Sequence, residues 1–136
     1  MATTIASINI TSTDLLSDSL SLSAIATLTG ASNSTGLTST GGLARKTTTS
    51  ASQYTLFAAA SYTDDKAHKI YLKNMESSAS LYFLISVGGN EVGRIYGGDW
   101  AFIPWSADTT PDTDVDFKIT PSSSGSHTLE YMIIHE

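Results

Sequence analysis

The sequence predicts an all-β protein, an antiparallel sandwich or small barrel. Apolar residues recur with a period of two rather than 3.6. Short runs of this kind come about every ten residues, with Gly, Pro or Ser turns between them. No long βαβ alternation is present, which argues against a parallel sheet. The aromatics then locate the core. All twelve, two Trp, six Tyr and four Phe, lie between Tyr54 and Tyr131. Aromatic side chains bury the most area and dominate cores. The core is therefore expected within residues 51–136. Residues 1–50, rich in Ser and Thr and with only Asp14, Asp18, Arg45 and Lys46 charged, read as an arm, edge strands or a surface completed by a partner.

In chain order, Ile8 and Ile10 alternate with Ser7, Asn9 and Thr11, which predicts a strand. Asp14 to Ser17 reads as a polar bend rather than a helical turn. Leu20, Leu22, Ala24, Ala26 and Leu28 share one face against Ser and Thr, with Ile25 the exception, so a half-buried strand is expected. Residues 30–42, GASNSTGLTSTGG, have one Leu and cannot order themselves by burial. They are a loop, a flexible hairpin or an arm ordered by contact. Leu43 to Thr49 is Thr-rich and reads as a short strand.

Strands follow at Gln53–Phe57, His68–Asn74 and Leu81–Val87. Gly88-Gly89-Asn90 is a hairpin signal, since Gly and Asn accept positive φ. Glu91–Tyr96 returns, Gly97-Gly98-Asp99 turns, and Trp100–Trp105 follows with Pro104 marking a sheet edge or bend. The last strands are Asp114–Thr120 and His127–His135. Parity places Ile70, Leu72, Phe83, Ile85, Val115, Phe117, Leu129 and Tyr131 inside.

Composition sets bounds. The length suits one domain. The absence of Cys excludes disulfides and thiolate metal sites. The net charge of −6 and the single adjacent basic pair, Arg45-Lys46, argue against nucleic acid as a partner. No apolar run approaches the ~18 residues of a membrane span, and the N-terminus has no positive segment before a long apolar one. The chain is expected to be made in a cytoplasm, with no membrane partner.

No constellation carries catalysis. Asp112, Asp114 and Asp116 have calcium-loop spacing, but Phe117 and Ser123 stand where Gly and Glu belong. His127 and His135 lie roughly 27 Å apart along one strand and cannot share an ion. Ser126 and His127 are neighbours and point to opposite faces. The glycine pairs form no phosphate-binding motif. Trp100 and Trp105 have opposite parity, so one belongs to the core and the other to a surface or interface. Two sequons, at Asn9 and Asn33, carry no weight without a signal peptide. No cofactor, metal or enzyme activity is expected.

Four stretches carry a further signal: LARKTTTSASQYTLF, YTDDKAHKIYLKN, GNEVGRIYGGDWAFIPWSA and DFKITPSSSGSHTLEYMIIHE. Within them are Tyr71-Leu72-Lys73-Asn74 ending a strand, and the turn Ile95-Tyr96-Gly97-Gly98-Asp99-Trp100. A strand Phe117-Lys118-Ile119-Thr120 and a final strand from Leu129-Glu130-Tyr131 to Glu136 follow. In these features residues 43–136 resemble a group of small structural proteins of tailed bacteriophages. The resemblance implies a β-sandwich of jelly-roll type, preceded here by a Ser/Thr-rich N-terminal arm or extra strands. It implies a virion protein on the outer surface of the capsid, a decoration or cement protein that binds and stabilises the assembled head. The implied partners are the major capsid protein, or another virion protein, and further copies of the chain in a dimer or trimer. The contact residues expected are Ile5, Ile8, Ile10, Leu37, Arg45 and Trp105. A neck, baseplate or tail-fibre attachment role is the alternative, and a carbohydrate-binding sandwich is the alternative of another class.

Overall fold

The computed structural model describes residues 3–15, 17–31, 36–109 and 114–136. Among these residues there are eleven strands, one 3-10 turn at Ala59–Ser61 and no α-helix. The strands are β1 (Ile5–Ser12), β2 (Leu20–Thr27), β3 (Ser39–Thr40), β4 (Ala44–Thr48), β5 (Tyr54–Phe57) and β6 (His68–Asn74). They continue with β7 (Tyr82–Val87), β8 (Asn90–Tyr96), β9 (Trp100–Trp105), β10 (Phe117–Pro121) and β11 (His127–His135).

Strands β4 to β11 form the sandwich. One sheet runs β4-β11-β6-β9, with β3 also on β11; the other runs β5-β10-β7-β8. All pairings are antiparallel. Numbered within this set, the first sheet has the order one, eight, three, six, and the second two, seven, four, five. That is a jelly-roll order, in which successive strands cross between sheets except at the β7–β8 hairpin.

Alternation builds the core between the sheets. Ile70 and Leu72 of β6, Phe83 and Ile85 of β7, Phe117 and Ile119 of β10, and Leu129 and Ile133 of β11 are all buried there. Of the residues expected inside, Val115 and Tyr131 pack only partly buried against this cluster. Val115 also precedes β10 rather than joining it. Its carbonyl accepts the Trp105 indole N–H at 2.9 Å instead. A bulge between Ile85 and Ser86 shifts the register with β8, and Ser86 is buried directly after Ile85.

Two glycines are required by close approach. A Cβ at Gly88, where φ is +58°, would overlap the Asp114 carbonyl, and one at Gly97 would overlap the carbonyls of Ser78 and Glu76. Gly97 opens the turn by which the chain passes from β8 in one sheet to β9 in the other. Strand β9 is an edge, which accommodates Pro104.

The segment before residue 51 includes an edge strand of the sandwich. Strand β4 pairs with β11 from Thr48↔His127 to Ala44↔Tyr131, so it belongs to the sandwich. Residues 36–42 also contribute a core side chain. Leu37 is 1% exposed and forms a second small core with Leu28 and Ile134.

Candidate functional site

Strands β1 and β2 pair with each other from Ile5↔Thr27 to Ser12↔Leu20 and with no other strand among the described residues. A two-stranded hairpin alone is marginal in water. This one is held at its base, where Leu28 N–H donates to the Thr4 carbonyl at 2.9 Å and Leu37 N–H to the Leu28 carbonyl at 3.0 Å. The bend at the far end behaves as expected: Ser12 Oγ accepts from the Leu15 N–H at 3.0 Å. Leu16 lies outside the described residues.

Directly opposed residues share a face. One face of the arm carries Ala6, Ile8, Ile10, Leu20, Leu22, Ala24 and Ala26. The other carries Ser and Thr with Asn9, Ile5 and Ile25. The alternation of β2 is as expected, but its burial is not. Ile10 and Leu22 are each 45% exposed and Ile25 is 74% exposed. Only Leu28, just past β2, is buried.

Beneath the arm lies the outer face of the β6–β9 sheet. Inward residues Ala101, Ile103 and Trp105 leave Trp100, Phe102 and Pro104 outward, with Tyr71 and Lys73 beside them on β6. Arm and sheet enclose an open cleft of about 900 Å³ with mainly apolar walls. Trp100 is 53% exposed within it. Tyr71 ties the cleft to the sheet: its hydroxyl donates to Glu130 Oε1 at 3.3 Å, and Arg45 Nε donates to Glu130 Oε2 at 2.8 Å. Burial, then the Glu130 charge, pushes the Tyr71 phenol up.

The expected contact residues divide. Ile5, Ile8 and Ile10 are exposed on the arm, and Arg45 is exposed but paired with Glu130. Leu37 and Trp105 need correction as surface contacts. Leu37 fills the small core at the base of the arm, and Trp105 is 5% exposed inside the main core. The exposed tryptophan is Trp100, whose parity with Phe102 marks it as outward. The surface residues missed were Leu22, Lys73, Trp100 and Phe102. For Leu22 the alternation was read, as part of a half-buried strand, but not its place on an exposed face.

Other polar clusters are structural. His127 Nε2 lies 3.3 Å from Ser123 Oγ, not near Ser126, and its ring edge meets Phe83. Asp64 accepts from the Thr109 N–H and hydroxyl, each at 3.3 Å. Asp114 binds Lys118 at 2.7 Å, while Asp112 and Asn33 lie outside the described residues. No group of three or more His, Asp or Glu able to hold a metal stands together among the described residues. No helix among them is long and apolar enough to cross a membrane. A scan of protein-family models and a search of curated proteins both find no match to this chain.

Proposed function

We propose that this chain is a virion structural protein, a capsid decoration module that attaches to and stabilises an assembled phage head. The observation that carries the reading is the arm: an amphipathic hairpin whose apolar face stays largely open among the described residues, with Ile10 and Leu22 each 45% exposed. Such a face is stable only if another surface covers it in the working state. The jelly-roll sandwich supplies a rigid base for the arm, and many virion proteins are built on that fold. A protein that binds the assembled shell and not its free subunits stabilises the shell by mass action. The low charge of the arm suits lying against another protein surface.

Quantitative mass spectrometry of purified particles tests this. Abundance comparable to the major shell protein supports decoration. A small fixed complement would move the protein to the neck, baseplate or tail fibre. Absence from particles would end the virion reading. The carbohydrate-binding alternative gains little from the cleft, whose walls among the described residues offer Ser7, Tyr71 and Lys73 but no carboxylate.

A further inference from the structure

The cleft and the arm fit each other. We propose that two copies of this chain exchange arms about a two-fold axis, each laying its β1–β2 hairpin into the cleft of the other. This rests on the structural role proposed above and names one of its partners: a second copy of the chain.

The layering follows from the two faces. In the exchanged dimer the order is sheet, partner arm, own arm, partner sheet. The apolar faces carrying Ile10 and Leu22 then meet each other in the middle. Ser7 and Ile25 of the opposite face also line the cleft, so Ile25, Trp100 and Phe102 of each copy are covered together by the partner's arm. One arrangement thus covers both sets of exposed apolar groups. A two-stranded ribbon about 10 Å wide in a layer about 10 Å thick fills a cleft of about 900 Å³ over about 9 Å, roughly three residues of each strand, so the cleft takes the tip of the partner's arm.

The area is sufficient. Large apolar side chains present roughly 200 Å² each. At the exposures of Ile5, Ile8, Ile10, Leu22, Ile25, Trp100 and Phe102, each copy would bury roughly 700 Å², close to the ~800 Å² per partner of a stable interface. Charge selects the direction. Each copy carries −6, yet the arm's only charges are Asp14 and Asp18, near its tip. The base of the arm rests on Ile134 and Met132, whose register partners on β6 are Lys69 and Tyr71. Lys69 and Lys73 form no ion pair among the described residues. Arms laid antiparallel bring each acidic tip to the other copy's lysines.

Sedimentation of the full chain tests the exchange. The expected result is a dimer at micromolar concentration whose Kd rises at least about tenfold with Ile10→Asp or Leu22→Asp. Val92→Asp, on the exposed β8 of the other sheet, should leave it unchanged. A charge test guards against variants that misfold. Lys69→Glu with Lys73→Glu should weaken the dimer, Asp14→Lys with Asp18→Lys should weaken it too, and the four together should restore it. A wild-type monomer up to about 100 µM overturns the exchange, as does a trimer or a dimer indifferent to these substitutions. If that monomer still enters particles in many copies, the virion role stands and the cleft belongs to another particle protein. A dimer of the expected pattern that never enters particles supports the exchange and removes the virion role.

Discussion

Asn74 is polar and fully buried, and each of its side-chain atoms has work. Its Nδ2 donates to the carbonyls of Leu81 and Ile95, both at 3.1 Å, and its Oδ1 accepts from the Glu76 N–H at 3.0 Å. Its backbone joins the turn after β8: Asn74 N–H donates to the Asp99 carbonyl, and Gly98 N–H to the Asn74 carbonyl. One residue therefore fastens the end of β6 to both strands of the β7–β8 hairpin. Asn74→Ala strands buried backbone groups and should cost about 3 kcal/mol in urea unfolding. Phe117→Ala, at the centre of the core, should cost about 3–5 kcal/mol by the same measurement. The sequence marked Asn74 only as a strand end; two of its three side-chain partners, Leu81 and Ile95, lie in segments that no local pattern connects to it. His68 is a second case. It stacks on His135 at 6.1 Å, meets Tyr62 and Trp105 edge-on, and its Nδ1 has no hydrogen-bond partner among the described residues. Burial, then the charge of His135, lowers its pKa, against smaller opposing effects from backbone hydrogen bonds at Lys66 and Trp105 and from Glu136. A base favoured neutral in the fold contributes stability that is complete above its ordinary value of 6.5 and is lost as pH falls through the lowered folded value. Urea midpoints should therefore drop on the acid side of neutrality, and His68→Phe should flatten that slope.

At the scale of elements, β2 and β6 have similar alternation and opposite fates. The residues of β6 are covered on both sides of the strand, by β11 and by β9. Strand β2 has only β1. Period-two patterning says that a strand has an apolar face; it does not say whether the covering layer belongs to the same chain. Aromatic distribution was the better guide, because the arm contains none. Leu22→Thr, at a concentration where the chain is monomeric, should change stability by less than about 0.5 kcal/mol. Leu72→Ala should cost about 2–5 kcal/mol. A loss at Leu22 equal to that at Leu72 would place the arm in the monomer core. The hairpin turns and the edge position of β9 were legible, because Gly and Pro act through the backbone and need no tertiary context.

Across the whole molecule, the sandwich was legible but the order of its strands was not, since only pairing between distant segments sets it. The place of β4 has the same origin: the strand is short and weakly apolar, and its pairing with β11 decides where it lies. Removal of residues 1–27 should leave a folded sandwich with near-native near-UV circular dichroism that no longer enters particles. Removal of residues 1–50 should also take β3, β4 and Leu37, uncover Ile134, and give an aggregating product. Acid sensitivity has a second, lower window. The Glu136 carboxylate accepts from the N–H groups of Ala31 at 2.8 Å and Ala67 at 3.1 Å, with Lys66 at 3.4 Å. The hydrogen bond from Ala31, then that from Ala67, holds its pKa down to about 2. Its contribution is present above the ordinary value of 4.5 and lost as pH falls toward 2, so Glu136→Gln should flatten the stability slope in that range.

Strand β11 pairs with β6 on one side and with β3 and β4 on the other, although it is the last of the eleven strands in sequence. During synthesis, β4 and β6 emerge well before it and cannot complete their sheet. Until β11 arrives, Ile70 and Leu72 have no finished layer around them, and the base of the β1–β2 arm lacks the Ile134 on which Leu28 and Leu37 pack. Contacts spanning so much sequence make folding slow, in the range of milliseconds to seconds for such topologies. The nascent chain thus carries the exposed apolar side chains of Ile10, Leu22 and Ile25 before its body is built, and productive folding rests on keeping them from other apolar surfaces until β11 has emerged.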